Sequence, residues 1–310
     1  MNKKTISVFA PATVANVACG FDVLGFAIQQ PGDIVELTLN TSEKVTIKQI
    51  SGDGGRLPLV AEKNTAGVAV IEFLKYLNQI QGVEISIQKN LPLGSGLGSS
   101  AASSAAALVG INELLGNPLS KKELIPFAME AERIACGAAH ADNVAPSILG
   151  GLVLIRSYTP LDIIEIPTPS NLCCVVVNPH IELRTEDSRK VLPKEIPLQI
   201  AITQWGNLAA LIAGFMKNDF DIISRSLQDV IAEPYRAPLI PGFSSVKQAA
   251  LNLGALGCSI SGSGPSIFAL CNSENIANEV AKAMQQKFQE IGLESTAFIS
   301  KINAEGAKVL

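Results

Sequence analysis

The sequence predicts an α+β protein of two domains, 1–165 and 166–310. Three observations support this fold class. The 310 residues suffice for two domains of ~150 residues each. Strand-forming segments crowd the start of the chain, whereas the second half, apart from insertions, has the element order β-α-β-β-α-β that is typical of a ferredoxin-like fold. A stretch punctuated by Pro160, Pro167 and Pro169 lies between them and is the best candidate for a boundary or hinge.

The first domain opens with β-forming segments that are separated by turn residues. The predicted strands are 5–10, 34–40, 45–50 and 83–88, with a turn-rich stretch at 51–55. A helix is predicted from 64 to about 76, because Val68, Ile71 and Leu74 recur at helical spacing. The strand at 83–88 leads into a glycine-rich string, and an alanine-rich helix follows that string and ends at Gly116.

The residues at 120–123 predict the start of a third helix in this domain. Ser120 and Glu123 have the S-x-x-E spacing of a capping box, and the helix is expected to end near Gly137. The domain closes with a polar stretch at 140–143 and a strand at 152–155. The second domain is predicted to contain a strand at 172–177, a loop at 184–189, helices at 198–229 and 244–253, strands at 258–261 and 266–270, a helix at 274–291 and a strand at 295–301.

Composition excludes several classes of function. Charged residues make up only 17% of the chain and the net charge is -4, which argues against a nucleic-acid partner, because such proteins neutralise phosphates with Lys and Arg. The only histidines are His140 and His180, so a multi-histidine metal site is excluded. The scarcity of charge makes each Arg, Glu or His that falls within a motif a stronger candidate for function.

The cysteines and the start of the chain indicate a cytoplasmic protein. The six cysteines show no C-x-x-C pair and no metal-ligand spacing, which favours free thiols in a reducing compartment. Pro11, Thr13 and Asn16 interrupt the apolar stretch near the start, so we expect no cleaved secretory signal. No uninterrupted apolar window of ~18 residues predicts a membrane span.

The string at 92–100, Pro-Leu-Gly-Ser-Gly-Leu-Gly-Ser-Ser, predicts a phosphate-binding loop. Glycines adopt positive φ readily and leave room for a ligand against their N–H groups, and the start of a helix favours an anion. A flexible turn is the alternative, but the full string followed by a helix favours phosphate. The string is neither a Walker A loop, because it has no lysine, nor a dinucleotide fingerprint, because it runs G-x-G-x-G deep in the chain.

Three segments resemble, in order, the motifs of the GHMP kinase superfamily, which includes kinases of galactose, homoserine and mevalonate. They are APATVANVACGFD at 10–22, PLGSGLGSS at 92–100 and ISGSGPS at 260–266. Within the superfamily the chain is most similar to the homoserine kinases, through further strings at 140–146, 185–189 and 233–236. The resemblance spans essentially the whole chain. It implies an N-terminal domain like ribosomal protein S5 domain 2 and a ferredoxin-like C-terminal domain, with ATP bound between the sheet and the glycine loop.

The resemblance also implies a reaction. It is the Mg²⁺- and ATP-dependent phosphorylation of L-homoserine to O-phospho-L-homoserine, the step that leads into threonine synthesis, by a cytoplasmic enzyme that forms a homodimer. The implied ATP-binding residues are Pro92, Leu93, Gly94, Ser95, Gly96, Leu97, Gly98, Ser99, Ser100, Ala101, Ala102 and Asn64. For the metal we favour Ser100, with Ser99 as the alternative, together with Glu132. Glu130 lies roughly 200° round the same helix and cannot face the same site.

A small amino acid as substrate needs partners for its carboxylate, ammonium and hydroxyl groups. Arginine matches a carboxylate with a planar fork, so Arg189 and Arg236 are its candidate ligands. The other candidate substrate-binding residues are Asn16, Asp22 and His140, and the candidate catalytic residues are Asp142, Asn143 and Thr185.

The mevalonate kinase branch places a lysine where this chain has Thr13, and without that cation nothing in the sequence tunes Asp142 as a base. We therefore expect direct attack of the substrate hydroxyl on the γ-phosphoryl group, with Asn143 or Asp142 orienting it. Thr185 and the ISGSGPS loop would support the transferred group. A sibling kinase of mevalonate, a sugar or another small alcohol, and a non-catalytic nucleotide-binding protein on the same fold, are the alternatives.

Overall fold

The first sheet of the protein contains seven strands. The computed structural model describes residues 4–137 and 139–310, without the side chains of Ala135 and Cys136. The strands are β1 (Thr5–Ala15), β2 (Leu24–Asn40), β3 (Val45–Ser51), β4 (Gly82–Gln88), β5 (Leu152–Tyr158), β6 (Leu161–Ile166) and β11 (Lys308–Val309). Their order is β11-β1-β2-β4-β3, and β5 pairs with both β2 and β6. Only β3 and β4 are parallel among these pairs.

Four helices complete this part of the molecule. They are α1 (Thr65–Tyr76), α2 (Ser99–Leu114), α3 (Lys121–Cys136) and α4 (Ala141–Leu149). Helices α1, α2 and α4 pack against the strands, and α3 packs against these three helices. Twelve consecutive residues of α2, from Ala101 to Asn112, are buried. A helix that is buried on all sides needs small side chains so that neighbouring elements can pack closely against it. The alanines of α2 provide them, and so does Gly110, which lies against Leu37 of β2. The glycine loop therefore precedes the most deeply buried helix of the domain, which holds it rigidly.

The second sheet has four antiparallel strands. They are β7 (Cys173–Pro179), β8 (Gly257–Ile260), β9 (Ile267–Cys271) and β10 (Ser295–Lys301), in the order β10-β7-β9-β8. Helices α9 (Phe243–Asn252) and α10 (Glu274–Glu290) pack against this sheet. The intervening helices are α5 (Thr185–Lys190), α6 (Leu198–Lys217), α7 (Phe220–Ser226) and α8 (Glu233–Arg236). The ferredoxin-like prediction is confirmed.

The two sheets share a core. Alternate residues of β7 divide between two hydrophobic clusters, with Val175 in the smaller cluster under α9 and α10 and Val176 in the larger cluster of the first domain. Phe26 of β2 meets Phe268 of β9 edge to face at 6.2 Å. The second sheet is therefore buried on both faces, with one face packed against the first domain and the other against α9 and α10.

Several sequence-based boundaries agree with the structure and others do not. Helix α1 and the capping box of Ser120 with Glu123 at the start of α3 are confirmed. Strand β2 begins at Leu24, ten residues before the predicted start. Its first five residues, 24–28, are all buried, so this part of the strand lacks the alternation on which the prediction relied. The polar stretch at 140–143 opens helix α4 and is not a loop, and the segment with Thr185 and Arg189 is helix α5.

The proline-rich stretch is a hairpin rather than a simple linker. Pro160 lies in the turn between β5 and β6, and β6 extends the first sheet to Ile166. The predicted helix at 198–229 is two helices, and α7 ends at Ser226. The chain enters the second sheet at Cys173 and returns to the first at β11. The division into 1–165 and 166–310 therefore stays a prediction.

Helix α6 is the one helix within 4–137 and 139–310 that is long and apolar enough to cross a membrane, with a mean hydropathy of 1.2. Length and composition alone do not distinguish a membrane span from a helix of a folded domain, and α6 packs against α7. The cysteines with described side chains, Cys19, Cys173, Cys174, Cys258 and Cys271, are buried free thiols, as expected. Cys136 lies outside the described side chains.

Candidate active site

A cleft of about 910 Å³ lies between the two domains. The glycine loop and helices α3 and α4 line one side, and α5, α8 and the turn at 262–263 line the other. An ion pair between Arg56 and Glu182, with 3.0 Å between Nη1 and Oε2, joins the two sides at the lining of the cleft. The three motifs that were far apart in sequence therefore meet around one space.

The glycine loop has the geometry of an anion site. Gly98 is the N-cap of α2 in a left-handed conformation (φ 66°, ψ 35°), which directs the first N–H groups of the helix toward the cleft. A Cβ at Gly96 would overlap the carbonyl oxygen of Ser261, whose hydroxyl donates to Gly96 O at 2.7 Å. The second and third motifs are thus packed backbone to backbone, and only glycine fits between them.

The predicted ATP-binding residues divide into two groups. The cleft is lined by Leu93, Gly94, Ser95, Gly96, Gly98, Ser99 and Ser100. Pro92, Leu97, Ala101, Ala102 and Asn64 are not part of its lining. The side chains of Leu97, Ala101 and Ala102 are buried in the core beneath the loop. Asn64 caps α1 by accepting from Ala66 N and donates to Pro58 O, so its amide shapes the segment beside the cleft rather than facing into it.

The two proposed metal-binding residues both line the cleft. Ser99 Oγ donates to Leu91 O at 3.4 Å, which turns this hydroxyl toward the backbone and favours Ser100 as the ligand. Glu132 of α3 is half-buried and faces the same space. A hydroxyl and a carboxylate are hard oxygen ligands that suit Mg²⁺, which takes its remaining ligands from phosphate and water. Among the described residues no cluster of three acidic, His or Cys side chains forms a closed metal cage.

The end of the cleft away from the glycine loop contains both positively and negatively charged side chains. Arg189 holds Asp22 with a two-pronged ion pair, in which Nη2–Oδ1 is 2.8 Å and Nη1–Oδ2 is 3.2 Å. His140 Nδ1 lies 3.7 Å from Asp22 Oδ2. Burial, reinforced by the two arginines, lowers the pKa of His140, which keeps this ring neutral at pH 7.

Arg236 is almost fully buried beside this pair. Its Nε donates to Ser188 O and its Nη1 to Gly262 O, which leaves Nη2 for a ligand. Both guanidinium groups lie over the ring of Phe21, Arg236 at 5.1 Å and Arg189 at 5.6 Å from its centroid. Burial and the neighbouring charge of Arg189 lower the pKa of Arg236, as expected for two cations that converge on an anion site. Phe21 belongs to the first motif, but nothing in the sequence predicted its contact with the two arginines.

The side-chain amide of Asn16 is hydrogen-bonded within the protein at both ends. Its Nδ2 donates to Gly262 O at 2.8 Å and its Oδ1 accepts from Asp22 N at 3.0 Å. Asn16, Val17 and Ala18 all have positive φ, a strained left-handed turn that L residues rarely adopt. Asn16 therefore lines the cleft and also holds Asp22 and the third motif in place, while its contact with substrate stays a prediction.

The three candidate catalytic residues also line the cleft. Burial, followed by the nearby charge of Asp22, raises the pKa of Asp142 to about 7. No feature of the sequence predicted this rise in the pKa of Asp142. Asp142 Oδ1 is buried and has no hydrogen-bond partner among the residues that the structure describes. The Oδ1 of Asn143 accepts from Thr13 Oγ1 at 2.7 Å. Thr185, at the start of α5, has its hydroxyl 3.3 Å from that of Ser263 in the third motif.

Other residues in and around the cleft were missed. Tyr158 is not part of the lining, but it donates to Asp22 O at 2.7 Å and accepts from Ala141 N at 3.3 Å, so it joins Asp22 to the start of α4. Its position in a strand after the polar stretch carried no signal of this contact. Arg56, Leu57 and Glu182 line the cleft, and they lie in loops that no motif marks.

This fold and cleft define a class of phosphotransferase, and comparison with known proteins agrees. The family model for the GHMP kinases N terminal domain matches residues 64–151, and the model for the GHMP kinases C terminal domain matches residues 209–290. The chain belongs to the GHMP kinases.

Within that class it belongs to the homoserine kinase family. It is 58% identical, over 319 aligned positions, to a homoserine kinase of Chlorobium phaeobacteroides (strain DSM 266), which covers 99% of this chain and 100% of the relative. The crystal structure of a homoserine kinase from Cytophaga hutchinsonii superposes with a TM-score of 0.98 at 55% identity, covering 100% of this chain and 98% of that one. The L. major mevalonate kinase, at 18% identity and a TM-score of 0.72 over 97% of each chain, shares the fold.

Proposed function

We propose that this protein transfers the γ-phosphoryl group of ATP to the hydroxyl of L-homoserine. The observation that carries the proposal is the arrangement of the cleft. An anion site at the start of α2 opens directly onto an end where Arg189, Arg236 and Asp22 offer two cations and one carboxylate. These charges complement a zwitterionic amino acid, and mevalonate and sugars have no ammonium group to pair with Asp22. The name and high identity of the relatives support the same substrate.

In this proposal the phosphates of ATP bind at the glycine loop, where backbone N–H groups and the start of α2 supply positive potential. Ser100 and Glu132 would hold Mg²⁺, which would supply positive charge to offset the negative charge that develops during transfer. The Asp22–Arg189 pair would open to receive the substrate, with its ammonium on Asp22 and its carboxylate between the arginines. Thr185 and Ser263 would donate hydrogen bonds from their hydroxyl groups to the oxygens of the transferred phosphoryl group.

For the chemical step we propose direct attack of the substrate hydroxyl, whose proton passes late to the phosphoryl group. Binding both reactants in one cleft contributes orientation, which is a large part of catalysis in phosphoryl transfer. Asn143 is the orienting residue, because its amide lies against the last glycine of the loop. Asp142 has a pKa of about 7, so at neutral pH it is ionised in only part of the molecules.

Replacement of Asp142 by Asn tests the role of this carboxyl group. If Asp142 only contributes to orientation, kcat should fall by about tenfold or less, since the amide keeps the size and polarity of the side chain. A loss of ~10³-fold or more with unchanged homoserine binding would instead assign the role of general base to Asp142.

The substrate is tested by measuring ADP release with homoserine, mevalonate, galactose and shikimate at equal concentrations. We expect turnover with homoserine alone. A flat response to homoserine beside turnover of another alcohol would show that the protein is a sibling kinase. ATP binding without turnover of any alcohol would support a non-catalytic protein. Omission of Mg²⁺ and the variants Ser100→Ala and Glu132→Gln test the metal.

We also propose that the protein acts as a cytoplasmic homodimer. The described cysteines are buried free thiols, which suits a reducing compartment. Helix α6 carries exposed apolar side chains at heptad-like spacing, namely Leu198, Ile202, Trp205 and Met216. A second copy of this chain would cover them. Sedimentation velocity should give the mass of a dimer, and Trp205→Glu should shift it toward the monomer.

A further inference from the structure

Thr13 occupies the position where the mevalonate kinase branch was expected to carry a lysine, and its side chain has a defined partner. Thr13 Oγ1 donates to Asn143 Oδ1 at 2.7 Å, across 130 positions of sequence. Its backbone N–H donates to Leu97 O at 3.1 Å, inside the glycine loop. Thr13 is fully buried in β1. It therefore cannot touch a substrate and can act only through the groups it holds.

The two partners of Thr13 converge on one point of the phosphate site. A Cβ on Gly98, the N-cap of α2, would overlap Thr13 Oγ1 and would lie 2.9 Å from Asn143 Oδ1. The Thr13–Asn143 pair is thus in contact with the last glycine of the loop. Asn143 is half-buried and lines the cleft, whereas Thr13 lies behind it.

In the structure this bond engages the oxygen end of the Asn143 amide, which leaves the nitrogen end for the cleft. The two ends of an amide have similar shapes but opposite polarity, so neighbouring groups decide the orientation. With Oδ1 occupied by the Thr13 hydroxyl, Nδ2 is left without an acceptor among the described residues and is the end available to a ligand. The reverse orientation would direct a carbonyl oxygen at phosphate oxygens, which is repulsive.

We propose that Thr13 is a positioning residue that holds Asn143 with its Nδ2 group toward the reacting hydroxyl and phosphoryl oxygens. This inference deepens the proposed function and rests on it. The amide N–H groups would stabilise negative charge that develops on oxygen during transfer, and they would do so without reorganisation because the amide is already fixed. In this respect a hydroxyl and an amide take the place of the lysine of the related branch.

The test compares two hydroxyls that join the same pair of elements. Thr13→Val removes the hydroxyl with nearly the same shape, and Thr13→Ser restores it. Ser147→Ala is the matched control, because Ser147 of α4 donates to Pro11 O of β1 at 3.2 Å and is also fully buried. Both deletions remove one buried bond between β1 and α4, but only Thr13 is bonded to a residue that lines the cleft.

We expect Thr13→Val to lower kcat about ten- to a hundredfold while KM for ATP and homoserine changes by no more than about threefold, as for loss of a group that acts in the transition state. Thr13→Ser should recover most of the activity. Ser147→Ala should keep kcat within about twofold of wild type with a comparable loss in Tm. Equal kcat losses in Thr13→Val and Ser147→Ala would overturn the proposal, since the effect would then be structural.

A double-mutant cycle identifies the route of the effect. If Thr13 acts through Asn143, the variant Thr13→Val with Asn143→Ala should have the kcat of Asn143→Ala alone, because the amide is already absent. Fully additive losses would show that Thr13 acts elsewhere and would contradict the proposal. Activity of the wild-type protein on homoserine tests the proposed function. The role of Thr13 is tested separately by the ratios of kcat between the variants and wild type, measured with whichever alcohol is phosphorylated.

Discussion

Replacement of Lys89 by Met should destabilise the protein strongly and loosen the phosphate site. The Lys89 ammonium has three partners, which are the Asp33 carboxylate, Ser99 O at 2.6 Å and Ser103 Oγ at 2.9 Å. The Asp33 carboxylate also accepts from the N–H groups of Asn90 and Leu91. The ion pair therefore joins both ends of the glycine loop, the entry at 90–91 and the exit at the first turn of α2.

The magnitude follows from burial. The side chain of Lys89 is 1% exposed and that of Asp33 is 0% exposed. Without the ammonium, Asp33 retains three hydrogen bonds but has no opposite charge in a site that water does not reach. Removal of one partner from a buried pair costs about 3–5 kcal/mol, a large part of a typical stability of about 5–15 kcal/mol. The KM for ATP should rise as well, because the two ends of the loop are no longer held together.

Guanidinium denaturation measures the free energy of unfolding, and Lys48→Met is the matched control. Lys48 and Glu84 form an ion pair on the neighbouring strands β3 and β4, but the lysine side chain is 56% exposed, so its removal should cost less than about 1 kcal/mol. Adding Asp33→Asn to Lys89→Met should recover part of the loss, since no buried charge remains. A loss below about 1 kcal/mol for Lys89→Met would refute the reasoning, because the pair would then contribute no more than an exposed one.

The remaining predictions concern the cleft. Burial raises the pKa of Asp142 from an ordinary 3.8 to about 7. The free energy of unfolding should therefore be highest below pH 3.8, where the carboxyl group is protonated in both states, and should fall as pH rises through 7. Asp142→Asn should abolish this decline when unfolding is measured between those two pH values. Gly98→Ala should lower kcat/KM for ATP by more than about a hundredfold in steady-state assays, because the new Cβ overlaps Thr13 Oγ1. Arg236→Lys should raise KM for homoserine about tenfold or more and leave KM for ATP unchanged, since lysine cannot bond Ser188 O and Gly262 O while it faces a carboxylate. Glu132→Gln should raise the Mg²⁺ concentration needed for half-maximal activity about tenfold or more, and a Mg²⁺ titration that matches wild type would contradict this role.

Features that depend on neighbouring residues were predictable from the sequence. The capping box of Ser120 and Glu123, the helical spacing in α1 and the glycine loop before α2 all depend on contacts within a few residues, and all are present in the structure. Two elements without a periodic pattern were not predicted. Helix α5 has only six residues, and the first five residues of β2, 24–28, are all buried and show no alternation.

The sequence by itself determined the chemical groups available to the site, because a glycine loop, two motif arginines and a few carboxylates are visible without a structure. The tertiary structure alone decided how those groups are paired. Asp22 bonds Arg189 across 167 positions, Thr13 holds Asn143, and burial tunes Asp142. Bond partners, desolvation and pKa depend on atoms that the fold brings together from distant parts of the chain, and no local pattern records those distances.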